Sequence, residues 1–207
     1  MLPDESFLAA TAIIDHGHPA VTEVAASVQG RTPDETVRAC FAYVRDRIAH
    51  PDDTGGSAAA VTASEVLAAG EGICYAQSHL LAALLRANGI PAGLRYQVVD
   101  SGTGGDVLHG IVAAWAPYLS ATGGWLLMDP RFPTGDPRNS GHEWQTRALQ
   151  PPFERNLPQV HAEPAAVVVE ALRTGARRRR ISNPARAPVR RRRRTARRRA
   201  ARARRDP

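Results

Sequence analysis

The stretch that most constrains this 207-residue chain is residues 70–93, GEGICYAQSHLLAALLRANGIPAG. Leu80, Leu81, Leu84 and Leu85, with Ala76, Ala82, Ala83 and Ala87, make a helix here apolar on nearly every side. Such a helix belongs inside a domain, so the rest of the chain must be built around it. Asn88-Gly89 tolerates the left-handed conformation that ends a helix, and Pro91 prevents its resumption. Cys74 follows a Gly-Glu-Gly turn and opens the helix. A helix N-terminus presents the positive end of its dipole, which favours a thiolate; the alternative is a cysteine that packs as one more small hydrophobe.

The elements before this helix are helical. Residues 7–14 are mixed apolar, compatible with a short strand or an irregular lead-in, and 15–19 form a turn. His16 and His18 lie in that turn with no third ligand nearby, a setting that favours solvated rings over a metal site. Residues 20–29 read as a short helix. Thr32-Pro33-Asp34-Glu35 combines a cap, a proline at the first helical position and a capping box. Val37, Cys40, Phe41, Val44 and Ile48 then recur at helical spacing, which assigns Cys40 to packing. A polar loop is expected over 51–57, and a second capping box, Thr62 to Glu65, opens a helix through Ala69.

After Pro91 the period changes to that of strands. Leu94, Tyr96 and Val98 alternate with Arg95 and Gln97; 100–106 is a loop; 109–116 and 125–129 make a second and third strand. Beyond Pro130 no regular element is expected until 165–172, where three valines suggest a final strand or short helix. Helices first and strands after predict an α+β fold, with a buried central helix carrying Cys74 packed on an antiparallel sheet.

Thiol chemistry on an acyl group needs a thiolate, an imidazole to carry the proton and a group to hold the imidazole. Cys74, His109 and Asp129 are the candidates. His109 at the start of one strand and Asp129 at the end of the next share one edge of a hairpin. Pairing Ala116 with Trp125 would set Asp129 opposite Val112, three residues or roughly 10 Å from His109, so a bulge near Gly110 or another register is required. The alternative makes His109 a strand-end histidine and Asp129-Pro130 an ordinary turn. Candidate oxyanion donors are the Cys74 backbone N–H and the Gln77 side chain.

GEGICYAQSHLLAALLRANGIPA, then LHGIVAAW, then GWLLMDPR, resemble in this order the transglutaminase-like superfamily of papain-like fold. The helix DETVRACFAYVRDRIAH resembles that family's Val-Arg-Asp helix. The resemblance covers about residues 5–173 and is densest over 62–131. It implies Cys74 as nucleophile, His109 as general base and acid and Asp129 as its orienter, in a peptidase, amidase or protein-glutamine transglutaminase that needs no cofactor or metal. Two departures stand out. Gly110-Ile111-Val112-Ala113 follows His109 where many members have Ala-Trp-Val-Glu, and Gly93 replaces a common arginine.

Charge divides the chain. All 27 basic residues are arginine, and 16 of them lie in residues 177–207 beside a single acid; the first 176 residues carry 11 arginines against 19 acids, a net of −8. A domain over 1–176 and a disordered arginine-rich tail over 177–207 are expected. Such a tail binds nucleic acid or another polyanion through counterion release, or is simply solvated. Two cysteines without a CxxC pair fit a reducing compartment, and an acidic N-terminus with no long apolar run lacks the marks of a signal peptide or membrane span, so a cytoplasmic, membrane-free protein is expected; the resemblance implies peptide or protein amides as its substrates.

Overall fold

The computed structural model describes residues 2–56, 59–101, 105–121, 123–131, 144, 148–175 and 180–181. After a 3-10 turn at Glu5–Phe7 come α1 (Pro19–Ser27), α2 (Pro33–Arg47), α3 (Pro51–Thr54), α4 (Ala63–Ala69) and α5 (Cys74–Ala87). Then follow β1 (Ala92–Asp100), β2 (Asp106–Trp115), β3 (Trp125–Met128), β4 (Arg155–His161), α6 (Ala166–Arg173) and β5 (Arg180–Ile181). The fold is α+β. The main sheet runs β3-β2-β1-β4, every pairing antiparallel, and β5 pairs the start of β2.

Helix α5 is the centre, as its composition requires. Every residue from Cys74 to Arg86 is buried. It packs on β1 and β2 on one side and on α1, α2 and α4 on the others. Gly89, at φ 73°, ends it, with Gly89 N–H bonded to Arg86 O and Ile90 N–H to Leu85 O. Its four polar interior residues each have a structural partner. Ser78 Oγ donates to Cys74 O at 2.8 Å, Gln77 Nε2 to Ile48 O at 3.0 Å, and the His79 ring meets Val61 O at 2.7 Å. Burial holds His79 neutral, pushing its pKa down to about 4 against the pull of that carbonyl. Arg86 reaches the carbonyls of Ala92, Ala9 and Ala162, stapling both ends of the domain to α5.

Several local expectations change. The segment 51–57 begins as α3, with Pro51 at its first position and His50 Nδ1 accepting from Asp52 N–H. Thr32 caps α2, yet Glu35 returns its carboxylate to Arg31 N–H rather than to Thr32; the box at Thr62 and Glu65 is complete. Strand β2 starts at Asp106, so His109 lies inside it; pairing of Asp100 with Asp106 carries the ladder to the rim of the loop. Strand β4 was not legible because of Pro158, which an edge strand accommodates. Of the alternatives for the last element the helix is realised: Val168, Ala171 and Leu172 are buried at helical spacing. The expected tail over 177–207 lies outside the described residues, apart from the two of β5. Among the described residues no helix is long and apolar enough to cross a membrane.

Candidate active site

Cys74 is the first residue of α5, and Ile73 before it offers no side-chain cap, so the first-turn N–H groups have no competing side-chain acceptor there. Tyr75 seats this first turn on β2. Its hydroxyl donates to Leu108 O, and its ring lies against Gly110, where a Cβ would come within 2.7 Å of Tyr75 Cδ1. Those two contacts flank His109, and Cys74 lies near enough to the His109 ring to raise its pKa through charge and hydrogen bonding.

On its other side His109 Nε2 lies 2.7 Å from Asp129 Oδ2. The ladder explains how. Trp115 pairs with Trp125 and Val112 with Met128. One step further, Asp129 falls level with Ile111, two residues from His109 and on the same side of the pleat. The register is one residue away from the Ala116–Trp125 pairing considered above, and no bulge at Gly110 is needed. With Nε2 engaged by Asp129, Nδ1 is the nitrogen left for the Cys74 sulfur.

Asp129 is fully buried. Its second oxygen accepts from Arg131 N–H at 3.1 Å, and its own N–H donates to Trp144 O at 3.1 Å. Trp144 in turn packs edge-on against Phe41 of α2, with ring centroids 5.6 Å apart. Burial pushes the His109 imidazole toward its neutral form; the Asp129 carboxylate and the Cys74 sulfur, through charge and hydrogen bonds, outweigh it and hold the pKa up to about 10. The ring is therefore an imidazolium at neutral pH. Burial likewise pushes the Tyr96 phenol up to about 12, with the Cys74 charge adding to it and the bond from Ala165 N–H opposing it.

Cys40 is different. It is wholly buried in the stripe of α2, and burial pushes its thiol up to about 12. His16 is half-buried and His18 exposed; His16 Nε2 sits 3.1 Å from Leu8 O, and His18 caps α1. Among the described residues no group of three or more His, Cys, Asp or Glu could hold a metal ion. Gln77 is turned to Ile48 and packs. Residues that sequence reasoning missed are Tyr75, Gln97, which pairs with His109 across β1 and β2 and donates to Asn156 Oδ1 at 2.9 Å, and the Asp53–Arg131 pair. Gly110 was the one available signal for Tyr75: a glycine in a central strand marks close approach of another group.

The profile of the transglutaminase-like superfamily matches residues 22–130, more than half the chain and a span that holds Cys74, His109 and Asp129. The chain belongs to that superfamily. Among solved structures it is similar to a candidate cysteine protease from Cytophaga hutchinsonii, at 19% identity and TM-score 0.48, with 60% of this chain and 40% of that one covered. It is also similar to the periplasmic domain of TgpA from Pseudomonas aeruginosa with bound ethylmercury, at 22% identity and TM-score 0.44, covering 60% and 46%. A second structure of that domain gives 23% and 0.42, covering 60% and 45%. The chain thus spans less than half the length of these structures. No curated protein matches it.

The glycine in each departure from the transglutaminase-like pattern sits where a side chain would clash. Gly110 leaves room for Tyr75. At Gly93 a Cβ would meet Val160 Cγ1 at 2.7 Å and His161 O and Phe7 Cε1 at 2.8 Å, so β4 and the N-terminal turn occupy the space that an arginine side chain would need.

Proposed function

We propose that this transglutaminase-like chain is a thiol-dependent acyl-transfer enzyme acting on amide bonds of peptides or proteins, with hydrolysis as its outcome. One observation carries the proposal: a buried imidazole held at 2.7 Å by the Asp129 carboxylate, close enough to the cysteine at a helix start for that sulfur to raise its pKa. The Cys74 sulfur adds to the amide carbonyl carbon, and the oxyanion that forms faces the uncapped N–H groups at the start of α5. As the C–N bond breaks, the proton of the His109 imidazolium passes to the leaving amine, leaving a thioester and a neutral imidazole. That imidazole takes a proton from water, whose oxygen attacks the thioester; the thiolate departs, the acid is released and His109 is charged again. Asp129 fixes the tautomer and stabilises the imidazolium throughout.

An amine in place of water would make the reaction a transamidation. Water, the acceptor always at hand, favours hydrolysis. A panel of peptide, isopeptide and glutamine-amide substrates, with ammonia and free acid both quantified, separates the two. Turnover should fall at least about a thousandfold in Cys74→Ala with little change in melting temperature. A variant that only melts earlier, with turnover intact, would make Cys74 a core residue; a wild type that turns over no member of the panel would make the chain a binding module.

A further inference from the structure

Asp53 of α3 and Arg131 stand 78 residues apart, and nothing in their local sequence pairs them. In the fold, Arg131 Nη1 donates to Asp53 Oδ2 at 2.8 Å and Nη2 to Asp53 Oδ1 at 3.1 Å, a two-pronged fork. Only 6% of the Arg131 side chain is exposed, against 58% of Asp53. The same arginine gives its backbone N–H to Asp129 Oδ1. One residue therefore grips the Asp129 carboxylate through its main chain and α3 through its side chain.

The segment that carries Asp53 is also fastened to the residues leading into Cys74. Ala49 N–H donates to Gly70 O at 2.9 Å, and Gly72 N–H returns a bond to Ala49 O at 3.0 Å. Ile48 O takes the Gln77 amide. Residues 48–54 thus form a strap with one face on the start of α5 and the other on the turn that follows β3. We propose that the Asp53–Arg131 fork is the clasp of this strap: both are positioning residues that hold Asp129, and through it His109, in register with Cys74. The inference rests on the proposed roles of those three residues. The pair joins a buried guanidinium to an exposed carboxylate, so losing Asp53 costs some stability, whereas a displacement of about 1 Å among reacting groups can cost a hundredfold in rate. The clasp should accordingly show in reactivity far more than in melting.

The test uses the full-length chain and needs no substrate. Asp53→Asn and Asp53→Ala, with Asp53→Glu as the conservative variant, are compared for the rate of Cys74 alkylation by iodoacetamide at neutral pH and for the NMR titration of the His109 ring. The clasp predicts alkylation slowed on the order of tenfold in the Asn and Ala variants, a lower His109 midpoint, a modestly lower melting temperature and recovery of all three in Asp53→Glu. Alkylation and titration that match the wild type, with or without a lower melting temperature, would reduce the fork to a structural ion pair with no part in positioning the site. If wild-type Cys74 itself reacts no faster than Cys40, the triad proposal fails, and the clasp fails with it.

Discussion

The Asp129 carboxylate meets His109 Nε2 at 2.7 Å from a point two residues along the neighbouring strand. A diagonal neighbour on an antiparallel ladder is about 7–8 Å away between backbones, within reach of an aspartate and an imidazole that share a face. A direct partner would be crowded, and a residue one step off would point to the other side.

This contact makes the charge state of His109 testable. Its folded pKa is raised from 6.5 to about 10. The stability it contributes is therefore fully present below about 6.5 and is lost as pH rises through about 10. Relative to His109→Gln, the wild type should lose stability between pH 6 and 10.5, as followed by chemical denaturation. The general-acid limb of activity should fall near pH 10. An imidazole that titrates near 6.5 by NMR would contradict the arrangement.

Gly110 is required by Tyr75. Adding a Cβ at 2.7 Å from the Tyr75 ring forces the first turn of α5 away from β2, so Gly110→Ala should cost about 1–3 kcal/mol and slow modification of Cys74. Shortening the ring in a Gly110→Ala/Tyr75→Leu double variant should recover part of the stability. Equal denaturation midpoints for wild type and Gly110→Ala would show that the ring has room to spare.

Much of this was legible in the sequence because the signals were local. The apolar run of α5, the caps at Thr32 and Thr62 and the alternation through Tyr96 and Val98 each declare an element within a few residues. The order Cys74, His109, Asp129 could be read too, but their contact depended on a register, and a one-residue slip reverses which face a side chain occupies. Nothing local could reveal the Asp53–Arg131 fork or the pairing of Gln97 with His109, because each joins residues whose own neighbourhoods are unremarkable in charge and hydropathy. Strand β4 was hidden by its own proline.

The arginine-rich segment is proposed to bind polyanions independently of the domain. Truncation after Ile181 keeps β5 and removes 12 of the 16 arginines of residues 177–207. DNA or heparin binding should fall sharply in the truncated protein and, in the full chain, weaken steeply with salt, while Cys74-dependent turnover and melting stay as they were. Undiminished binding would place the basic surface within the first 181 residues.

The most direct measurement is to treat the native protein with a peptide-like thiol electrophile and locate the adduct by mass spectrometry. Both thiols are buried, but Cys74 opens a helix beside the His109 ring whose pKa it helps raise, while Cys40 lies in the α2 stripe with its thiol pushed up to about 12. The account predicts a single adduct on Cys74, formed at least about tenfold more slowly in His109→Gln and Asp129→Asn. Equal labelling of Cys40 and Cys74, or labelling of Cys74 at an unchanged rate in both variants, would contradict it.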